Sequence, residues 1–346
     1  MPRGSWVISR RGFLRCAAGV ALASFSCTPG NLSIRRRPAV GFGIVTDCHY
    51  ADADPVGTRF YRESLSKLSE CVDRMNAEKV DFLIELGDFK DENRPPAEEK
   101  TLSHLQKVEA VFQRFRGPRY HVLGNHDMDS ISKQQFLSRV ENTGIDSGRS
   151  YYSFGLKGLH CIVLDANYKS DGSDFDHGNF DWTDANIPAT ELDWLQQDLA
   201  ASRGPVIVLI HQLLDGTGSV YVRNAPEIRQ ILEASDRVLA VFQGHHHPGA
   251  YSYIDGIHYY TLKGMIEGHG ADNNAYAVVE VHPDESLTVT GYRKAPSMEL
   301  AHLSSIQDTS SPSFALRCHP DSSIDASDLY AATRLRQSLF GRAPGS

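Results

Sequence analysis

Polar side chains of the types that bind transition metals follow five short apolar runs in this 346-residue chain. In chain order, the five groups are Asp47-Cys48-His49, Gly87-Asp88, Asn125-His126-Asp127, His211 and His245-His246-His247. A single histidine after a strand is usually an ordinary polar residue, so the inference depends on finding all five groups in one chain. Carboxylate, amide and imidazole donors together suit Mn, Fe or Zn better than Ca or Mg. The pattern therefore predicts a transition-metal site.

The spacing inside two of these groups predicts which side chains share a side of the backbone. In an extended backbone, residues two apart point the same way. By this rule Asp47 pairs with His49, and Cys48 points away. His245 and His247 pair in the same manner.

The apolar runs before the five groups are typical of strands that are buried on both faces. We predict these strands at 40–46, 82–86, 119–123, 206–210 and 238–243, and further strands at 151–155, 160–164, 251–254, 258–262, 275–281 and 287–292. Helices are predicted at 60–78, 98–116, 132–144, 190–201 and 226–234, with Thr190 as a cap. Alternating strands and helices indicate a layered α/β domain with mixed sheets. Because ligands bind beyond the carboxyl ends of such strands, the five groups are expected to meet.

The order D-x-H, G-D, G-N-H-D, H, G-H-x-H resembles the calcineurin-like metallophosphoesterases over residues 39–295. This resemblance implies a four-layer α/β/β/α sandwich with two metals at the strand ends. It implies seven metal ligands: Asp47, His49 and His247 on one metal, Asn125, His211 and His245 on the other, and Asp88 on both. It further implies that His126 protonates the leaving oxygen or stabilises charge on phosphorus, and that Asp127 hydrogen-bonds and orients the His126 ring.

Within that family, the chain resembles the manganese-dependent ADP-ribose/CDP-alcohol diphosphatases. The matching stretches are 42–47, 50–52, 59–62, 249–251 and 261–267. One departure is His49, where the subgroup carries Gln, and it gives the first metal an imidazole ligand. Arg59 and Arg62 either contact a second phosphate or are surface residues of the first helical turn.

A pair of divalent metals explains how such a site would hydrolyse a phosphate ester. Two ions about 3.5–4 Å apart bind both the attacking and the leaving oxygens of an in-line displacement. A water shared by the ions becomes acidic, so a metal-bridging hydroxide is the expected nucleophile. We therefore predict a metal-dependent phosphoric ester or anhydride hydrolase, of the nucleotide diphosphatase or phosphodiesterase type. The alternatives are an exported phosphomonoesterase on the same scaffold and a non-catalytic metal- or phosphate-binding protein.

Residues 1–37 have the character of an export signal. They contain seven arginines and no acidic residue, and Ser9-Arg10-Arg11-Gly12-Phe13-Leu14-Arg15 resembles the twin-arginine motif. The apolar run that follows has twelve residues, whereas a membrane span needs roughly 20, so no transmembrane span is predicted. We expect export by the twin-arginine machinery to the periplasm or the extracellular space. Release after cleavage is favoured over lipidation of Cys27.

The remaining chain divides into a metallophosphoesterase domain at 38–302 and a weakly structured tail at 303–346, where a helix at 329–339 is the only candidate element. The net charge is −8, from 35 basic and 43 acidic residues, so a nucleic-acid surface is not predicted and the expected partner is a small phosphate ester or nucleotide. A long polar loop at 167–188 is expected to border the metal site. Its aromatic residues, Phe175, Phe180 and Trp182, either stack on a flat substrate group or pack the loop against the body.

Overall fold

The computed structural model describes residues 39–301, which form twelve strands and five α-helices. The strands are β1 (Val40–Val45), β2 (Phe82–Glu85), β3 (Arg119–His121), β4 (Tyr152–Leu156), β5 (Leu159–Val163), β6 (Val206–Leu209), β7 (Val238–Gln243), β8 (Ala250–Ile254), β9 (Ile257–Thr261), β10 (Ala275–Val281), β11 (Leu287–Arg293) and β12 (Met298–Leu300). The helices are α1 (Ser64–Glu78), α2 (Glu98–Phe112), α3 (Lys133–Leu137), α4 (Ala189–Ala201) and α5 (Ala225–Glu233). The predicted export signal and C-terminal tail lie outside the described residues.

The strands form two six-stranded mixed sheets. The first has the order β12-β11-β10-β1-β2-β3, and the second has the order β4-β5-β6-β7-β9-β8. β1, β2 and β3 run parallel, as do β5, β6, β7 and β9. All five strands that precede the predicted ligands therefore lie in parallel segments, three in one sheet and two in the other.

Three apolar clusters hold these sheets and helices in four layers. One cluster fills the space between the sheets and includes Phe42, Ile207 and Phe242. A second packs α1, α2 and α3 on the outer face of the first sheet, and a third packs α4 and α5 on the outer face of the second. The predicted α/β/β/α sandwich is confirmed.

β1 shows how the sequence alternation builds these layers. Phe42 and Ile44 face the space between the sheets, whereas Val45 belongs to the cluster beneath the helices. Gly43 lies against α1, where a Cβ would come within 3.0 Å of the Met75 side chain. A side chain at this position would push α1 off the sheet, so the glycine permits close packing of helix on strand.

Several element boundaries differ from the prediction. α3 follows the cap residue Ser132, whose side chain accepts from the Gln135 amide, but the helix has only five residues and ends at Leu137. Thr190 is not a cap: Pro188 occupies that position in an extended conformation, and no side chain caps α4. The short strand β12 was not predicted. Within residues 39–301, no helix has both the length and the apolar character to cross a bilayer.

A buried ion pair network lies behind the ends of β2 and β3. The ring of His121 is fully buried, with Nδ1 2.9 Å from Glu85 Oε1 and Nε2 3.1 Å from Glu109 Oε2. Burial alone would lower the pKa of His121, but Glu109 and Glu85 raise it to about 10. The other Glu85 oxygen accepts from the Gly87 amide at 2.9 Å, so this network also supports the turn before Asp88.

We expect His121→Gln to lower the free energy of unfolding by about 3–5 kcal/mol, because it leaves two buried carboxylates without their cation. The protonated ring contributes fully below pH ~6.5, and the contribution disappears as pH rises towards 10. The difference between variant and wild type should therefore shrink over that range in chemical denaturation. His269→Gln is the matched control, since the exposed His269–Glu63 pair contributes at most about 1 kcal/mol. Equal loss in both variants would contradict the assignment.

Candidate metal centre

The loops after β1, β2 and β7 place their ligand residues in an uncommon backbone conformation. Asp47, His49, Asp88 and His245 have φ values of 53°, 45°, 55° and 64°. The expectation that Asp47 and His49 align through an extended backbone is therefore wrong. Both residues have left-handed conformations, so they do not continue the alternation of side chains along β1. Such conformations cost free energy and occur mainly where the surrounding structure enforces them, often at functional sites.

Hydrogen bonds between the loops enforce these conformations. The Asp47 amide donates to Gly87 O at 3.0 Å, and the His49 amide donates to Asp88 O at 2.8 Å. Cys48 points away from the site and contacts Met265, with 3.6 Å between the two sulfur atoms. The loop after β1 thus continues the pairing of β1 with β2 and directs its two polar side chains to the same place.

Asp127 supports the backbone of the site and does not touch the His126 ring. Its carboxylate accepts hydrogen bonds from the amides of Gly124, Asp88, Phe89 and Lys90 at 2.8–3.4 Å. The expectation that it orients the His126 ring is wrong. Residues 125–128 form a 3₁₀ turn, in which neighbouring side chains point about 120° apart and residues three apart eclipse.

Asp129, three residues after His126, is the carboxylate that lies beside the His126 ring, where Asp127 was expected. His126 Nδ1 lies 3.8 Å from Asp129 Oδ2 and 3.5 Å from Asp91 Oδ1. Burial alone would lower the pKa of His126, but Asp91 and Asp88 raise it well above its usual value. The buried Lys90 donates to the His126 carbonyl at 2.6 Å and pairs with Asp129, so this turn is fixed at both ends.

A first group of donors joins three of the predicted ligands. His247 Nε2 lies 3.2 Å from both Asp47 Oδ1 and His49 Nε2, and His49 Nε2 lies 3.7 Å from Asp47 Oδ1. Burial alone would raise the pKa of Asp47, but His247 and His49 hold it well below its usual range. The donor atoms are close enough to bind one ion.

A second group forms around Asp88 on the other side. Asp88, His211 and His245 present donor atoms within 4.8 Å of one another. Asp88 Oδ2 is 3.2 Å from His211 Nε2 and 3.4 Å from His49 Nε2, so one carboxylate oxygen adjoins both groups. Gly124 makes room for this carboxylate, because a Cβ there would overlap the amide and Oδ1 of Asp88.

Unpaired polar atoms show that the donor set fits cations. Asp47 Oδ1, Asn125 Oδ1 and His211 Nε2 are buried and make no hydrogen bond within the protein. An unpaired buried polar atom is costly, and three of them belong to predicted metal ligands. The His211 Nδ1 lies 2.7 Å from the Leu86 carbonyl, which accepts the ring proton and leaves Nε2 with a free lone pair for a metal. Six of the seven predicted ligands, all but Asn125, lie in the two donor groups, and these donors suit two divalent ions.

Two carboxylates beside the ligands were not identified from the sequence. Asp91 Oδ2 lies 3.3 Å from His49 Nδ1, and Glu267 Oε1 lies 2.6 Å from His247 Nδ1. A carboxylate on the second nitrogen orients a ligating imidazole and increases its basicity. The His247 ring holds the pKa of Glu267 at about 2, so this carboxylate stays charged.

The parallel pairing of β9 with β7 explains why Glu267 lies at the site. β9 runs parallel to β7 with Thr261 opposite Gln243, so the segment after β9 leaves the same sheet edge as His245 and His247. The Met265 and Ile266 amides then donate to Thr46 and Asp47 carbonyls at 3.1 and 3.0 Å. β9 is therefore a sixth strand whose carboxyl end contributes to the site.

The structure assigns different positions to the two arginines and the three aromatic residues for which the sequence allowed two roles each. Arg62 pairs with Asp52 and Asp54 on the surface, whereas Arg59 Nε lies 3.9 Å from Glu267 Oε1, beside the first donor group. Phe175 is buried and stacks on Phe180 at 4.0 Å, which is packing against the body. Trp182 is 43% exposed, and its ring centroid is 5.5 Å from that of His245.

The comparison with known families decides how this arrangement is classified. The family model described as calcineurin-like phosphoesterase matches residues 41–249, which include all seven predicted ligands. This chain belongs to the calcineurin-like phosphoesterase family. The resemblance inferred from the order of its five motifs is thereby confirmed.

Similar proteins agree with the family. A manganese-dependent ADP-ribose/CDP-alcohol diphosphatase of Oryza sativa subsp. japonica is 29% identical over 73% of this chain and 92% of its own length. The Homo sapiens protein of the same name is 24% identical over 75% and 92%. A dimetal phosphatase structure from Danio rerio has a TM-score of 0.67 at 21% identity, covering 77% of this chain and all of the other, which supports the fold.

This calcineurin-like phosphoesterase is a metal-dependent hydrolase of phosphoric esters or anhydrides, as predicted. Its two donor groups adjoin at Asp88 and suit two divalent metal ions. The alternative of a non-catalytic binding protein is set aside by the family assignment.

Replacing the carboxylate common to both groups should remove metal. We expect Asp88→Asn to bind one ion or fewer per chain, because a neutral amide bridges two cations poorly. Elemental analysis after gel filtration of the manganese-loaded protein measures this. Asp165→Asn is the matched control, since Asp165 is a buried carboxylate that pairs with Lys133 and should leave the metal content unchanged. A full complement of metal in Asp88→Asn would contradict the shared role.

Proposed function

We propose that this protein is an exported diphosphatase that uses manganese to hydrolyse the pyrophosphate bond of nucleotide-type substrates such as ADP-ribose or CDP-alcohols. The observation that carries the proposal is the pair of adjoining donor groups around Asp88, because one oxygen near both groups suits two ions acting on one phosphate. Relatives named for these substrates match over most of their own length. The donor chemistry accepts manganese, iron or zinc, and the names of these relatives favour manganese.

The protein's own residues define the two metal positions. Asp47, His49 and His247 would hold one ion. Asn125, His211 and His245 would hold the other, and Asp88 would contact both. Divalent ions in such a pair neutralise charge on the phosphate oxygens and lower the pKa of water. Asp91 and Glu267 orient two of the imidazoles through their second nitrogens.

His126 is placed to transfer a proton to the leaving oxygen. Its side chain is about one third exposed, unlike that of His49, and one ring nitrogen lies within 4.8 Å of donor atoms of His49 and Asp88. The carboxylates of Asp91 and Asp129 on Nδ1 favour the protonated ring. The ring therefore borders the donor groups without completing either of them, which suits a general acid.

Arg59 is the cation that would meet the second phosphate of a diphosphate. It lies beside Glu267, which contacts the His247 ring, and its side chain is one third exposed. Arg62 is excluded from this role by its two carboxylate partners on the surface.

Export is supported by the first 37 residues. The arginine pair Arg10-Arg11 precedes a twelve-residue apolar run, and the segment contains no acidic residue. Removing 1–37 would leave 28 basic and 43 acidic residues, a net charge of −15. We propose release into the periplasm or the extracellular space rather than anchoring at Cys27.

The substrate class can be tested with three phosphates that represent three bond types: an anhydride, a diester and a monoester. We expect the manganese-loaded protein to hydrolyse ADP-ribose faster than a bis-aryl phosphate, to hydrolyse a simple aryl phosphate slowest, and to lose all three activities with a chelator. Phosphate or nucleotide release measures the rates. A preference for the aryl monoester would favour the phosphomonoesterase alternative.

His126→Ala should lower kcat for ADP-ribose by about 10²–10⁴-fold, the usual range for a lost general acid. The manganese content should stay at the wild-type value, because His126 is not among the seven ligands. Loss of metal together with activity would assign His126 to the metal site instead.

Replacing Arg10 and Arg11 by lysine should retain the protein in the cytoplasm of a bacterium that has the twin-arginine machinery. Cell fractionation with immunoblotting measures the distribution, and Arg35→Lys/Arg36→Lys in the same segment is the matched control. Equal export of both variants would rule out the twin-arginine route.

A further inference from the structure

The loop after β5 carries an exposed indole directly beside a metal ligand. Trp182 is one of three large apolar side chains that are strongly exposed among residues 39–301. Its ring meets that of His245 at a tilt of 60°. An exposed tryptophan at the mouth of a metal site has a flat apolar face available to a ligand.

Interactions on both sides hold this indole in place. The Asp181 carboxylate accepts from the Thr183 amide at 2.9 Å and caps the short turn Trp182–Asp184. Asp184 accepts from the Ser170 amide and hydroxyl and pairs with Arg223 at 3.3 Å. The turn is therefore tied to two other segments, and a ligand need not order it on binding.

A surface cleft adjoins the same turn. It has a volume of about 400 Å³ and is lined by Thr183, Thr217, Gly218, Ser219, Val222 and Arg223. Five of these residues lie in the loop that follows His211, and Thr183 lies in the loop that carries Trp182, so the cleft lies between the segment after a predicted metal ligand and the segment that presents the indole. Its volume is within the range of small-molecule sites.

We propose that Trp182 and this cleft form the binding site for the nucleoside part of the substrate, with the base stacked on the indole; the proposal deepens the diphosphatase function and rests on it. A nucleobase has a flat face that stacks on aromatic side chains. The Thr217 and Ser219 hydroxyls and the Arg223 guanidinium supply hydrogen bonds for ribose hydroxyls and base edges. A fully apolar ligand would form no hydrogen bonds with these groups.

The position of this nucleoside site gives the substrate a direction. Trp182 lies beside His245 of the second donor group, and Arg59 lies beside Glu267 and His247 of the first. A nucleoside at Trp182 therefore places the adjoining phosphate at the metals and the far phosphate towards Arg59. Base-free sugar phosphates would bind at the metals alone.

Equilibrium binding tests the site without relying on turnover. AMP and ribose 5-phosphate share the phosphate and the ribose and differ in the base, so both are titrated into the full-length, manganese-loaded protein by calorimetry. We expect wild type to bind AMP more tightly than ribose 5-phosphate. Trp182→Ala should weaken AMP binding about 5- to 150-fold, as for a lost base–aromatic stack, and leave ribose 5-phosphate unchanged. Trp182→Phe should retain most of the AMP affinity.

Two further variants distinguish a specific loss of the nucleoside site from a general loss of folded protein. Ser219→Leu narrows the cleft without touching Trp182 and should also weaken AMP selectively. Tyr251→Ala removes another exposed aromatic, outside both donor groups, and should change neither affinity. Manganese content is measured for each variant.

Equal wild-type affinities for the two probes, or unchanged AMP binding in both Trp182→Ala and Ser219→Leu, would overturn the proposal. Selective AMP binding in a protein that hydrolyses no diphosphate would support the nucleoside site and reject the diphosphatase function instead.

Discussion

The crowding of buried donor atoms around Asp88 is the interaction on which the rest of this structure depends. Two carboxylates and three imidazoles approach to 3.2–3.7 Å, and all five side chains are largely buried. Two of these atoms, Asp47 Oδ1 and His211 Nε2, have no hydrogen-bond partner within the protein, and this is costly in a buried site. The fold must supply the free energy that keeps them together until metal binds.

That free energy comes from layers remote from the chemistry. The apolar clusters between and outside the sheets set the positions of the parallel strands, and the loops then extend beyond the strand ends. Asp127 joins the loop after β2 to the turn after β3 through four backbone amides. Glu85 and His121 brace the same turn from behind. Left-handed residues at four ligand positions are tolerated because these contacts enforce them.

The two sides of the metal centre differ in chemistry. The side of His247 meets Glu267 and Arg59, which are charged, whereas the side of His245 meets the indole of Trp182. The surroundings of the two donor groups are therefore asymmetric, charged on one side and aromatic on the other. In the proposed diphosphatase, this asymmetry distinguishes a substrate with unlike ends from a simple phosphate.

The order and residue types of the five motifs were sufficient to predict the layered α/β class and the family, because strand ends are visible as apolar runs followed by polar groups. The fold brings six of the seven predicted ligands into the two donor groups. The ranges of β1, β2 and β7 were predicted to within a residue for the same reason. The roles of Asp127, Asp129, Asp91 and Glu267 required the tertiary structure. A 3₁₀ turn rotates Asp127 away from His126, and the parallel pairing of β9 with β7 brings Glu267 to His247. Neither turn geometry nor strand pairing over many residues is encoded in local spacing, because both result from packing of the two sheets.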